Sequence, residues 1–339
     1  MGKYVLKRLA YMVVVFFITS LMMYAIYNLI PNDPARAQLE GQRKTMKPEE
    51  YEEAYNNLRE KMGLNDPLIV RYARWMGLIH DIGNKGFNGL LQGNFGYSNI
   101  YQKDVIDIIG APMENTIILN IFATILTLAI TIPLGIACAV RKGSLFDNAT
   151  QVFTIIGWSL PTFIVAILFI YLFAVLIPIF PVGGAKTPGS TYVGLRAFGD
   201  RMYYLALPIL VSTFTGLAGM TRNIRASMID TLSMDYIRTA RAKGLKERTV
   251  IYSHAWRNAL LPVVTSIIGW FLGIFSGSFV IENTFLLHGM GRLYIQALQN
   301  NDFELVLASQ MFNTVVSLVG ILLTDLAYGL VDPRVRVDK

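Results

Sequence analysis

The length of its apolar runs constrains this chain more than any other feature. Six stretches, roughly 9–30, 114–140, 150–180, 203–221, 260–282 and 306–330, approach or exceed the 20 or so mostly apolar residues that a helix needs to cross hydrocarbon. Over 339 residues the apolar set reaches 53%, charged residues make up 16%, and mean hydropathy is +0.44, which excludes a soluble enzyme of this size. The expected fold class is therefore all-α: a polytopic membrane protein with six transmembrane helices. The first run follows Lys3, Lys7 and Arg8 as a secretory signal would, but Leu9 to Ile30 is longer than a signal's apolar core. No small-residue cleavage site closes it before Pro31-Asn32-Asp33-Pro34, so it reads as an uncleaved first span.

Six spans put both termini on one side, and the basic residues say which. With a cytoplasmic N-terminus, the inner pieces 1–8, 141–149, 222–259 and 331–339 hold 16 Lys and Arg against six acids. The outer pieces hold 14 against 16, and only 4 of those basic residues remain once the long segment after the first span is set aside. Both termini are expected in the cytoplasm. The net charge of +7 thus follows membrane topology, and no nucleic-acid partner is expected. Cys138 is the one cysteine, which excludes an internal disulfide or a thiolate metal cluster and reads as a small buried hydrophobe.

The domain reading follows these boundaries. Residues 1–30 form a cytoplasmic tip and first span, 31–113 a small extracytoplasmic domain, 114–330 a five-helix core with an inner loop at 222–259, and 331–339 a cytoplasmic tail. In the outer segment, Lys47-Pro48-Glu49-Glu50 opens a helix expected to reach Lys61 and stop at Gly63. A second short helix is expected over 67–78 with Leu68, Tyr72, Trp75 and Met76 as its apolar stripe. Gly83, Gly86, Gly89, Gly93 and Gly96 then mark irregular turns. Within the membrane, Pro133, Pro161 and Pro178 are expected to kink or end helices, and glycines such as Gly135, Gly157 and Gly216 to permit close packing.

The most informative stretch is the inner loop from Thr221 to Pro262. Helix-forming residues run from Asp235 through Arg238, Thr239, Ala240, Arg241 and Ala242 to Lys243; Gly244 can end that helix in the left-handed conformation; a second helix starts near Lys246. A hairpin with apolar and basic faces can lie on anionic lipid or dock as a short helix into a partner's groove, and amphipathicity alone leaves both open.

Residue order resembles the binding-protein-dependent ABC importer permeases, whose loop signature is Glu-Ala-Ala, three residues, Gly, and later Leu-Pro. Here those positions carry Arg238-Thr239-Ala240, Gly244 and Leu261-Pro262. The replaced Glu and Ala, and the longer gap to Leu-Pro, are similar to the oligopeptide, dipeptide and nickel branch. That branch reads much like Ala240-Arg241-Ala242-Lys243-Gly244-Leu245 and Arg257-Asn258-Ala259-Leu260-Leu261-Pro262. Asn32-Asp33-Pro34, Gly63-Leu64-Asn65-Asp66-Pro67, Gly93-Asn94-Phe95-Gly96-Tyr97-Ser98, Pro133-Leu134-Gly135 and Asp332-Pro333-Arg334-Val335-Arg336 extend the resemblance over nearly the whole chain. The long outer segment suits the B-type subunit of that pair.

The resemblance implies a type I ABC importer permease fold in a bacterial cell membrane, forming half of a pore with a C-type sister permease. It implies a coupling helix near Asp235 to Leu245 that fits a cleft on a cytoplasmic ATPase subunit, with the loop Arg141 to Asp147 as a second contact. The remaining partners it implies are two P-loop ATPase subunits, an extracytoplasmic substrate-binding lipoprotein, a peptide substrate and the lipid bilayer. No G-x-x-x-x-G-K-[ST] run exists in this chain, so ATP and Mg belong to the partner subunits and no cofactor is expected here.

Other chemistries fare worse. Gly157-Trp158-Ser159 faintly suggests an intramembrane serine protease, but His80, His254 and His288 all fall in expected loops, leaving Ser159 without a base at depth. No HExxH motif is present for a metal. Glu282 and Asp325 stand in apolar runs, where ionisable groups usually face an interior or an aqueous path; with Ser159 they are the pathway candidates. Such carboxylates would also suit a proton-coupled secondary transporter, the main alternative mechanism, although that class has no use for the inner hairpin. Glu282 lies near an expected helix end, where it could simply be solvated. A non-transporting scaffold is a third class. Within the family, dipeptides or nickel chelates are alternative cargo, and the lack of a His or Cys cluster along the spans favours peptide over nickel.

Overall fold

The computed structural model describes the backbone of residues 2–29, 33–39, 41–44, 46–82 and 86–331, and the side chains of all of these but 2–4, 37, 261, 262 and 327–331. Asn32, Gly83, the Asp332–Arg336 motif and the side chains of Leu261 and Pro262 lie outside the described residues. In chain order the elements begin with α1 (Gly2–Leu29), α2 (Pro34–Leu39), α3 (Pro48–Lys61) and α4 (Leu68–Met76). A two-residue β1 (Tyr97–Ser98) and β2 (Lys103–Asp104) follow, then α5 (Val105–Val140), α6 (Leu145–Ser159), α7 (Thr162–Ile170) and α8 (Gly194–Leu232). The rest are α9 (Asp235–Ala242), α10 (Glu247–Thr249), α11 (Arg257–Gly273), α12 (Phe279–Thr284), α13 (Met290–Gln299) and α14 (Phe303–Val331). Wide-turn π stretches extend α7 over Tyr171–Leu176 and join α10 to α11 over Val250–Trp256.

Four helical segments are long and apolar enough to cross a membrane: Val5–Leu29, Val105–Val140, Gly194–Leu232 and Phe303–Leu326. Two further pairs qualify only when joined, Leu145–Ser159 with Thr162–Leu176 bent by 100° and Glu247–Leu260 with Val263–Gly273 bent by 63°. The spans therefore number four, or six if each bent pair is one span. The first bend has a local cause. Pro161 disfavours the helical backbone at the residue before it, and Leu160 sits at φ −79°, ψ 130°, where α6 ends. Pro161 itself, at φ −56°, opens α7, where a missing N–H costs nothing.

Proline does not act alike everywhere. Pro133, expected to kink or end its helix, lies inside α5 together with Pro112, and Pro208 lies inside α8. The run expected over 260–282 also divides, because α11 stops at Gly273 and α12 begins only at Phe279. Asn120 of α5 explains the stop: its Nδ2 lies 3.0 Å from the carbonyl oxygens of Ile274 and Ser276 and 3.3 Å from that of Gly273. It thus supplies donors to carbonyls that a helix end leaves open.

The chain divides into two compact units. One comprises 111–292 with 316–339 and holds two apolar cores. The first core joins Ile136 and Ala139 of α5, Met220, Ile224 and Met228 of α8, Ile237 and Ala240 of α9, and Val250, Ile251, Ala255, Ala259 and Val263 of the segment that follows. The second joins Leu119 and Ala123 of α5, Val165 and Ala166 of α7, Leu205, Leu207, Ile209 and Val211 of α8, Ile281 of α12 and Phe285 just after it.

The other unit comprises 2–110 with 293–315, so the segment expected as an outer domain packs with α1 and with the start of α14. Helix α3 starts at Pro48 and the chain turns at Gly63 in the left-handed region, φ +64°, as the sequence suggests. In α4, Tyr72 and Met76 are buried against Tyr24 of α1 and Leu307 of α14, whereas Leu68 is exposed and does not share the buried stripe. Strands β1 and β2 pair antiparallel, Tyr97 opposite Asp104, and the Ser98 hydroxyl donates to the Asp302 carboxylate. Asp33 accepts from Tyr55 Oη at 2.5 Å, Arg59 Nη1 at 2.7 Å and the Ala35 amide at 2.9 Å.

Candidate functional site

Helix α8 hands over to α9 across only Ser233 and Met234, so the two behave as neighbouring rigid rods with a tight corner. Helix α9 has Asp235 in its first turn and Arg241 in its last, charges placed favourably against the helix dipole. Its inward face is Ile237 and Ala240, spaced three residues apart and buried in the first core. Asp235, Tyr236, Arg238, Thr239 and Arg241 are all exposed. The helix is therefore nailed down by two apolar residues, and the rest of it is free to meet something else.

Its end is a Schellman motif. The amide of Gly244 donates to the Arg241 carbonyl at 2.9 Å, and that of Leu245 to the Ala240 carbonyl at 3.4 Å. Gly244 has φ +76°, a conformation in which a side chain on any L-residue is strained by about 1 kcal/mol or more. The chain reverses there and enters α10 at Glu247. Arg241 forks onto Glu247 across the turn, Nη2 to Oε1 at 2.7 Å and Nε to Oε2 at 3.2 Å, while Arg238 stands 3.5 Å from Asp235. Residues 241–249 form an unbroken exposed stretch with four basic residues and one acid, and Leu245, 41% exposed, sits among them. Such a surface can dock a partner through shape, charge and one apolar contact.

The expected hairpin and its turn at Gly244 are thus present, and the second helix, expected from near Lys246, begins at Glu247. His254 falls within that second helical segment, in the π stretch Val250–Trp256, and its carbonyl accepts from Asn258 Nδ2 at 2.7 Å.

Arg141 stands just past α5, exposed, with its guanidinium 5.8 Å from the Phe146 ring. The loop it opens is shaped by Gly143 at φ +81° and by Ser144, whose hydroxyl accepts from the Asp147 amide to cap α6. In the sequence Asp147 closes the loop expected as a second contact, with nothing to name its partner. In the structure its carboxylate is 1% exposed and accepts from Arg225 of α8, Nε at 2.6 Å and Nη2 at 2.7 Å, and from the Gly143 amide at 2.9 Å. No spacing rule links residues 78 positions apart, so one sequence carries no signal for this pair.

The three pathway candidates stand on different elements. Ser159 is exposed at the end of α6, its hydroxyl donating to the Ile155 carbonyl at 2.8 Å. Asp325 is partly buried in α14. Glu282 is buried rather than solvated: Oε1 accepts from Thr116 Oγ1 at 2.8 Å and Oε2 from the Arg292 amide at 2.9 Å. Gly289 lies so close that a Cβ there would fall 2.4 Å from the Glu282 carboxyl carbon. Among the described residues, no group of three His, Cys, Asp or Glu comes together to hold a metal.

Both halves of the chain match a single family. Residues 131–337 match the binding-protein-dependent transport system inner membrane component, and residues 1–120 match its N-terminal membrane component. The chain belongs to this family of ABC importer permeases and is a multi-pass membrane protein. Among its relatives, the oligopeptide transport system permease protein AppB of Bacillus subtilis is 33% identical over 99% of this chain and 100% of its own length. The dipeptide transport system permease protein DppB of Escherichia coli is 32% identical over the full length of both. A solved amino acid ABC transporter chain aligns with a TM-score of 0.46 and 14% identity, covering 66% of this chain and 94% of that one.

Proposed function

We propose that this chain is one of two permease subunits of an ATP-driven, binding-protein-dependent importer of peptides. It forms half of the pore beside a C-type sister subunit. Two cytoplasmic P-loop ATPase subunits bind ATP and Mg, and an extracytoplasmic lipoprotein delivers the peptide. The observation that carries the reading is the hairpin: α9 is anchored through Ile237 and Ala240 while Asp235, Arg238, Thr239, Arg241, Gly244 and Leu245 face outward. A proton-driven transporter has no use for such a surface, and peptide cargo is what the relatives' names record.

In this reading α9 and Arg141 lie on the cytoplasmic side with both termini, and the segment 31–113 faces outward. ATP binding draws the ATPase subunits together, and the hairpins follow because a short helix seated in a cleft moves with it. The permease pair is thereby rocked between inward- and outward-open states. Of the pathway candidates, Asp325 and Ser159 remain positions where a passing peptide can be contacted. Glu282, with its oxygens engaged, serves to hold the 274–292 segment in place.

Uptake of a labelled tripeptide into vesicles carrying the full complex is the direct test. It should require ATP and both ATPase subunits. Gly244→Pro, or the double reversal Arg238→Glu with Arg241→Glu, should lower uptake at least tenfold while the chain still inserts, since losing about 1.4 kcal/mol of docking energy already gives a factor of ten. Uptake that follows a proton gradient without ATP, or normal uptake by these variants, refutes the assignment.

A further inference from the structure

The loop at Arg141 and the hairpin at α9 come from regions of the sequence about 95 positions apart, yet both attach to the same few turns of α8. Arg225 holds the loop through Asp147. On the adjoining positions, Ile224 and Met228 hold Ile237 and Ala240 in one core with Ile136 and Ala139 of α5. Alpha-helices α5 and α8 also meet closely here, because a Cβ on Gly135 would come within 2.7 Å of Ile224. The two attachments differ in kind. Apolar contacts tolerate small slides, whereas a guanidinium forked onto a carboxylate loses both bonds when either partner shifts by about an ångström.

We propose that Asp147 and Arg225 are positioning residues that fix the 141–147 loop in register with the α9 hairpin, so that the two present a single rigid docking face. Three features support this. The carboxylate is 1% exposed and takes donors from both sides of the joint, Arg225 on α8 and the loop's own Gly143 amide. Arg225 is 23% exposed, so neither partner can satisfy itself fully in water instead. A buried ion pair is also a poor source of stability compared with apolar packing, but it specifies one geometry. The proposal rests on the docking reading of the hairpin for its purpose, and on α8 geometry alone for its rigidity.

The test separates those two. Spin labels are placed on Lys142→Cys and Lys243→Cys, both exposed positions, in the full complex with Cys138→Ser, and the distance distribution between them is measured with and without ATP. One narrow distance in both conditions is expected. The double variant Asp147→Asn with Arg225→Met removes both charges together, so no buried charge is stranded and the chain should still fold, while Asn keeps an acceptor for Gly143. Its distribution should be about twofold broader, and the uptake per ATP hydrolysed about tenfold lower, in the range that coupling mutations reach. An unchanged width in this variant overturns the proposal, as does a broader distribution with uptake per ATP hydrolysed unchanged. Arg225→Lys, which keeps charge but cannot fork, should fall between and serves if the double variant accumulates poorly. Should the ATPase subunits co-purify normally with the Arg238→Glu, Arg241→Glu chain, the docking reading fails while the distance widths still judge the lock.

Discussion

Two arginine–carboxylate pairs in the same unit have nearly the same geometry and opposite surroundings. Arg225 forks onto Asp147 at 2.6 and 2.7 Å with side-chain exposures of 23% and 1%. Arg241 forks onto Glu247 at 2.7 and 3.2 Å with exposures of 45% and 54%. The first pair is shielded, cannot trade its bonds for water, and joins two distant segments. The second spans one turn and exchanges freely with solvent, so a docking partner can recruit either charge at little cost. Identical chemistry thus serves as a fixed joint in one place and as a recognition surface in the other, and burial decides which.

The largest expected break in that comparison is Asp147→Ala. It leaves the Arg225 charge largely buried without its partner, which should cost about 2–3 kcal/mol, toward the low end for buried pairs because Arg225 keeps some exposure. Thermal unfolding of the detergent-solubilised chain should show a clear drop in Tm, and Arg225→Met added to it should restore most of the loss. A wild-type Tm for Asp147→Ala would mean that the pair is solvated in practice.

This buried pair is also what the sequence could least reveal. The helix opening at Pro48, the left-handed turn at Gly63 and the end of α9 at Gly244 were legible because each depends on a residue whose own backbone preference dictates the structure. The break at Pro161 was legible for the same reason. That Pro133 would leave its helix continuous rather than end it was not, since a proline within an apolar helix needs neighbours to compensate the lost hydrogen bond, and neighbours are not written locally. The division of the 260–282 run depends on Asn120, some 150 residues away, and the burial of Glu282 depends on Thr116 in the same manner. In the candidate site, the exposed chemistry of α9 followed from its residues, while its attachment to α8 and the Asp147–Arg225 joint arose only from tertiary contact.

A third pair, in the other unit, sharpens the comparison at intermediate exposure. Asp33 and Arg59 stand 2.7 Å apart with side chains 21% and 31% exposed. Partial burial works against the Asp33 charge, but donation from Tyr55, the Ala35 amide and Arg59 outweighs it and holds the carboxyl below its ordinary value. A carboxyl whose folded pKa is depressed stabilises the fold above its unfolded pKa, about 3.9, and that contribution disappears as pH falls through the lower folded value. Protection factors of the α3 amides, with the pH dependence of intrinsic exchange divided out, should therefore be high at pH 6 and fall below about pH 4. Tyr55→Phe removes one donor, so the loss should begin at higher pH; an unshifted profile would show that Tyr55 contributes nothing to the charge.

Glu247→Gln should have the smallest effect on the fold and, for that reason, the most to say about the hairpin. An exposed pair of this kind is worth about 0.5 kcal/mol or less, and salt screens it, so Tm should hardly move. The helix end does not depend on it, because the Schellman bonds at Gly244 and Leu245 are made by the backbone. Retention of the ATPase subunits through purification should nonetheless change, since the substitution frees Arg241 and adds one net positive charge to a surface that is already basic. Tighter retention at low salt would place an acidic cleft opposite the hairpin, weaker retention would make Glu247 itself a contact, and retention that is unchanged at every ionic strength would remove this part of the turn from the docking face.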